Sequence, residues 1–75
     1  MAKIKPHNKK LGENVQRLRE QHNLTQLALA HRIGYTGENA GAYICRIEQG
    51  QQEPRLHTLS KLAKVLRVQV SDLLA

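Results

Sequence analysis

Apolar residues recur in this chain at three- and four-residue steps, and that period restricts the fold more than any other feature. Leu56, Leu59, Leu62, Ala63 and Leu66 stand at i, i+3, i+6, i+7 and i+10, with His57, Lys61 and Lys64 between them. The spacing gathers the leucines on one face of a helix over 56–66. Leu11, Val15 and Leu18 keep i, i+4, i+7 and predict a first helix from Leu11 to His22. Glu13 then falls in its first turn, where the helix dipole favours an acid. Asn23 tolerates the left-handed conformation that ends such a helix, and Leu24 packs beneath the turn. Thr25 is a good N-cap for a second helix, Gln26 to Ile33, with Leu29, Ala30 and Ile33 inward and Gly34 as its stop.

The stretch Ala40 to Gly50 is the one the others serve. Ile44 and Ile47 share a helical face, while Tyr43 and Arg46 project from the other, and Gly50 supplies a left-handed stop. Asn39 is a plausible N-cap, with Thr36 as the other candidate. Tyr35 to Asn39 is a turn, and Gln51 to Arg55 is a loop with Pro54 just before the fourth helix. Val68 and Val70 flank Gln69, and Ser71 to Leu74 make a final turn with Leu73 and Leu74 folded inward. Five short helices with short connections describe an all-α domain.

Composition narrows the function. A chain of 75 residues buries only about 60% of its unfolded surface, so dimerisation would help it. Without Phe or Trp, its core must be aliphatic. Twelve Lys and Arg against six Asp and Glu leave a charge of +6, which favours a polyanionic partner, nucleic acid above all. An anionic membrane would need bulky apolar anchors that the chain lacks. Neither a spanning run nor a secretory h-region is present, and the single Cys fits a reducing cytosol, so a cytoplasmic protein is expected. Residues 1–10 carry four Lys and a Pro with no helical period and read as a basic arm ahead of a domain over 11–75. The arm either lies along DNA phosphates or is a solvated tail.

Catalytic and metal chemistry finds no foothold. His7, His22, His31 and His57 include no i, i+4 pair of a helical metal site, and Cys45 has no second Cys to resolve an oxidation. The glycine-rich Gly34–Gly41 stretch lacks the Gly-Lys-Ser/Thr ending of a phosphate loop. No enzyme, cofactor or metal is expected.

Thr25-Gln26, Leu29-Ala30, Gly34, Ile44-x-Arg-Ile-Glu-x-Gly50, Pro54 and Leu59-x-x-Leu62-Ala63-x-x-Leu66 together resemble the Cro and phage-repressor (Xre-type) helix-turn-helix family. The resemblance runs from about Leu11 to Leu74. It implies a compact five-helix, lambda-repressor-like domain whose second and third helices bind double-stranded DNA. By the same resemblance Gln26 touches phosphate and braces the third helix, and Gly41, Ala42 and Arg46 occupy base-reading positions. Of these only Arg46 has reach, and an Arg fork spans guanine O6 and N7. Tyr43 and Asn39 are placed for phosphate or base edges, and Arg55 for the sugar-phosphate backbone and minor groove. Arg19 and Glu48 match an ion pair between the first and third helices.

Three departures stand out. The segment between Gly34 and the third helix is about four residues longer than the family's, roughly one helical turn, and glycines at 37 and 41 favour a loop over an extended helix. Arg67 replaces the family's Gly after helix four, and Gln69 its Ser before helix five, so those ends should be less sharply defined. The implied function is a sequence-specific transcriptional regulator, a repressor by preference. Such a protein would be a homodimer through Val68, Val70, Leu73 and Leu74, reading a near-palindromic operator. The alternative is a protein-interaction adaptor that keeps the scaffold without reading bases, which the short side chains of Ala40-Gly41-Ala42 favour.

Overall fold

A computed structural model describes residues 6–75 and forms, in order, α1 (Pro6–Gln21), α2 (Gln26–Arg32), α3 (Ala40–Glu48), α4 (Leu56–Leu66) and α5 (Val70–Leu74), with no strand among the described residues. The first part of the expected arm, residues 1–5, lies outside the described residues. Pro6 to Lys10 do not belong to an arm: they are helical, and α1 begins five residues ahead of Leu11. Proline suits a first helical position, where its missing N–H would have had no partner. Asn8 occupies the apolar stripe one turn before Leu11 and is only 5% exposed, so a polar residue on the inner face hid the true start. Glu13 is therefore mid-helix.

The α1, α3 and α4 C-termini close alike. Asn23, Gly50 and Arg67 take positive φ of 56°, 76° and 60°. The following amides reach back to Arg19, Arg46 and Ala63 carbonyls at 3.1, 2.9 and 2.9 Å. This six-to-one bond, with the shorter one inside it, satisfies carbonyls that a helix end leaves open. Arg67 thus ends α4 as sharply as a glycine would, against the expectation of a frayed end. The start of α5 is also fixed, because the Gln69 amide donates to Asp72 Oδ2 at 2.8 Å. The Thr25 hydroxyl accepts from the Ala28 amide at 3.0 Å and caps α2 as expected.

Leu11, Val15, Leu29, Ile44, Ile47 and Leu62 form the centre of an aliphatic core and are all at most 2% exposed. Two apolar expectations fail. Leu56 is 71% exposed and Thr58 is buried instead; the two lie about 80° to either side of Leu66, so helical angle alone does not separate them. Leu74 is half exposed while Leu73 is fully buried, since adjacent helical residues do not share a face.

Helix α1 packs closely on α3. A Cβ at Gly12 would collide with the carbonyl oxygens of Ile47 and Glu48, so only glycine fits this crossing. At the other end of the fold, Asn14 Nδ2 donates to the carbonyls of Leu73 and Ala75 at 2.9 and 3.2 Å and holds α5 against α1. The left-handed Arg67 carries a strain of about 1–2 kcal/mol that glycine does not. Arg67→Gly should therefore stabilise the fold by about 1 kcal/mol, offset slightly by the looser unfolded chain. A melting temperature raised by about 4–8 °C would report it, and an unchanged value would contradict the strained cap.

Candidate nucleic-acid interface

The angle of α3 is set from its C-terminal end. Arg19, in the last turn of α1, donates from Nε to Glu48 Oε2 at 2.6 Å and from Nη2 to Oε1 at 3.2 Å. Its Nη1 donates to the Leu24 carbonyl at 2.7 Å, and Gln26 Nε2 donates to Glu48 Oε1 at 3.0 Å. One carboxylate on α3 is thereby tied to α1, the α1–α2 turn and the first residue of α2. The pair is well shielded, with side chains 11% and 4% exposed. The hydrogen bond to Glu48 raises the Arg19 pKa above its ordinary value against the opposing effect of burial.

With Ala40, Ile44 and Ile47 buried, the outward face of α3 is Ala42, Arg46 and Gln49, all exposed. Gln49 was missed in the sequence. Its spacing of three from Arg46 and seven from Ala42 is the signal that would have found it. Gly41 requires a correction. A Cβ there would lie 3.1 Å from the Leu27 amide nitrogen and 3.3 Å from its Cα. Gly41 is a close-approach residue that seats α3 on α2, not a residue turned toward a ligand. Gln26 is half-buried and spends its amide on Glu48, so the bracing half of its implied role has a geometry. Asn39 stands at the N-cap position, exposed, and its side chain makes no capping bond among the described residues. Arg55 is exposed at the start of α4.

Tyr43 does not project freely as its helical position suggested. It is half-buried against the core, and its ring stacks on Tyr35 with centroids 4.5 Å apart and planes 22° from parallel. Burial, followed by hydrogen bonding to Tyr35, pushes its pKa up to about 12, while the Thr58 hydroxyl and the charge of Arg46 pull the other way. A depression of about 330 Å³ opens beside this pair, with Arg55, His57 and Gln52 on its walls. The segment from Tyr35 to Asn39 is a loop, with Gly37 at φ 100°. It is held from α2 by the His31 ring nitrogen, 3.3 Å from the Gly37 carbonyl. His22 contacts the Leu66 carbonyl at 2.9 Å, and Cys45 is a half-buried free thiol. No cluster of metal-ligating side chains occurs among the described residues, and no helix among them is long and apolar enough to cross a membrane.

Two helices joined by a turn, the second braced behind and bare in front, define a helix-turn-helix unit. The profile of the helix-turn-helix family matches residues 15–73, and the chain belongs to that family, in its Xre/Cro-type branch. No curated protein matches the chain. Among solved structures it is similar to the restriction-modification controller protein C.AhdI from Aeromonas hydrophila, with 29% identity and a TM-score of 0.77 over 88% of this chain and 94% of that one. It is also similar to SinR, the master regulator for biofilm formation, solved in complex with DNA, with 27% identity and a TM-score of 0.75 over 87% and 98%. Hydroxypropylphosphonic acid epoxidase from S. wedmorenis matches with 26% identity and a TM-score of 0.80 over 92% of this chain, but over only 35% of its own length.

Breaking the ion pair strands a buried charge, whereas replacing both partners does not. Glu48→Ala should cost about 3–5 kcal/mol in a urea titration, and Arg19→Met combined with Glu48→Leu much less. Equal losses would mean that the pair is not the brace. The raised Tyr43 pKa gives the alkaline sign. The neutral phenol is favoured by folding, so its contribution is intact below pH 10 and is lost as pH climbs from 10 toward 12. An absorbance titration of the two tyrosines should show one ionising near pH 12, and two ordinary transitions would contradict the buried stack.

Proposed function

We propose that this DNA-binding transcription regulator inserts α3 into the major groove of a near-palindromic operator and acts as a repressor. The observation that carries this reading is the placement of Arg46 on the exposed side of a helix whose angle is locked by Glu48. An α-helix with its side chains is about 10–12 Å across, which suits a groove about 12 Å wide. Arg46 reads a guanine through its fork, worth about 1–3 kcal/mol of discrimination. Gln49 and Asn39 reach neighbouring base edges or phosphates. Gln26 and Arg55 hold the backbone on either side, and the flank of Tyr43 excludes water beside them. Ala42 offers a methyl, which suits a thymine. The positive charge of the chain supplies affinity without sequence preference.

The active form is a homodimer that spaces two copies of α3 roughly 34 Å apart, one turn of the duplex. Leu74 and the uncovered edges of Val68 and Val70 supply its surface, and Leu73 does not, being part of the core. The protein works in the cytoplasm and catalyses no reaction. An adaptor without base readout is the competing function, favoured by the closed packing of Gly41 and the short side chain of Ala42.

Selection of bound sequences from random duplexes separates the two. Arg46→Ala should remove preference at one base pair per half-site and leave the fold intact by circular dichroism, while Gln26→Ala should weaken all duplexes about equally. Equal affinity of the unaltered chain for every duplex, varying only with salt, would exclude base readout.

A further inference from the structure

We propose that the connection between α2 and α3 is a second DNA-reading element and that Tyr35 is the residue that positions it; this rests on the DNA-reading function above. The connection runs from Ile33 to Asn39, longer than the turn of about three or four residues that joins the helices of such a unit. A surplus of that size would normally be mobile, but here it is fixed at several points. The Tyr35 amide donates to the Ala30 carbonyl at 3.0 Å, and its ring lies on that of Tyr43 at 4.5 Å. The Gly37 carbonyl receives the His31 ring nitrogen at 3.3 Å and the Ala40 amide at 3.4 Å. Gly37 turns the chain at φ 100° with open space where a Cβ would be.

This fixed loop feeds directly into the first turn of α3, and that turn has no polar side chain to read with. Ala40 is buried, Gly41 faces the α2 backbone, and Ala42 ends at a methyl. The polar groups missing there stand one step earlier, where Thr36, Glu38 and Asn39 are all exposed. An Asn amide matches adenine N6 and N7, and a carboxylate accepts from cytosine N4. A carboxylate also repels phosphate, so Glu38 disfavours any register that turns the loop onto the backbone. The loop therefore takes over the readout that the first turn of α3 has given up. Tyr35 fixes the loop to the same aromatic flank that borders Arg46, which gives the two reading elements one frame.

The experiment is sequence selection from random duplexes with the full chain and four variants: Tyr35→Ala, Tyr35→Phe, Asn39→Ala and Arg46→Ala. Tyr35→Ala and Asn39→Ala should lose preference at the same base pairs, different from those that Arg46→Ala loses, with affinity for the best duplex falling roughly tenfold. Tyr35→Phe keeps the ring and should restore those base pairs. If Tyr35→Ala proves poorly folded, Asn39→Ala alone decides whether the loop reads bases. A selected sequence unaffected by Asn39→Ala overturns the second reading element, even where Arg46→Ala confirms the first. Loss of preference in Tyr35→Ala confined to the Arg46 base pairs overturns the loop as a separate reader. An unaltered chain that selects no sequence at all overturns both.

Discussion

Everything that α3 offers depends on one carboxylate. Glu48 accepts from Arg19 with both oxygens and from Gln26 with one, and the same Arg19 reaches the Leu24 carbonyl. Removing these groups from water is costly, and the pair is repaid because all three guanidinium nitrogens of Arg19 donate, two of them to the carboxylate. A leucine pair would pack as tightly, but would leave α3 free to roll on its neighbours. Directional bonds from α1 and α2 converge at one end of α3 and fix its rotation. The collision waiting at Gly12 fixes its distance from α1, and Gly41 fixes its distance from α2.

How much of this was legible follows from the kind of interaction. Helical period exposed α2, α3 and α4 within a residue of their ends, because apolar spacing is local and strong. The start of α1 was hidden because Asn8 lies on the inner face and interrupts the stripe. Arg67 misled for a related reason: its side chain argues against a left-handed cap, but the bonds from Arg67 and Val68 to Lys64 and Ala63 enforce one. Cap chemistry is a preference, and a favourable pair of hydrogen bonds outweighs about 1–2 kcal/mol of strain.

The candidate site was legible where charge or reach decided the role and illegible where contact did. Arg46 is outward because α3 has its apolar residues on the opposite face, and the spacing alone gave that. Gly41 held a base-reading position by resemblance, yet its neighbour is the Leu27 backbone, and no one-dimensional pattern reports a separation between two helices. Tyr43 was placed on the outward face by helical angle, but a large ring on the boundary turns inward when Tyr35 and Thr58 offer it an apolar face and a hydroxyl. Gln49 failed to register because it lies just past the last helical residue, although its spacing from Ala42 and Arg46 continues the outward face.

The brace also settles the electrostatics of the exposed face. A carboxylate at the C-terminus of α3 adds to the negative end of the helix dipole, and left open it would repel a phosphate. Arg19 cancels it within 2.6 Å, at a site with little solvent to screen the pair. Arg46 is then the one charged side chain of α3 whose field reaches outward uncompensated by its own helix. A positive tip on a helix of otherwise neutral exposed residues gives a polyanion a single point of strong attraction.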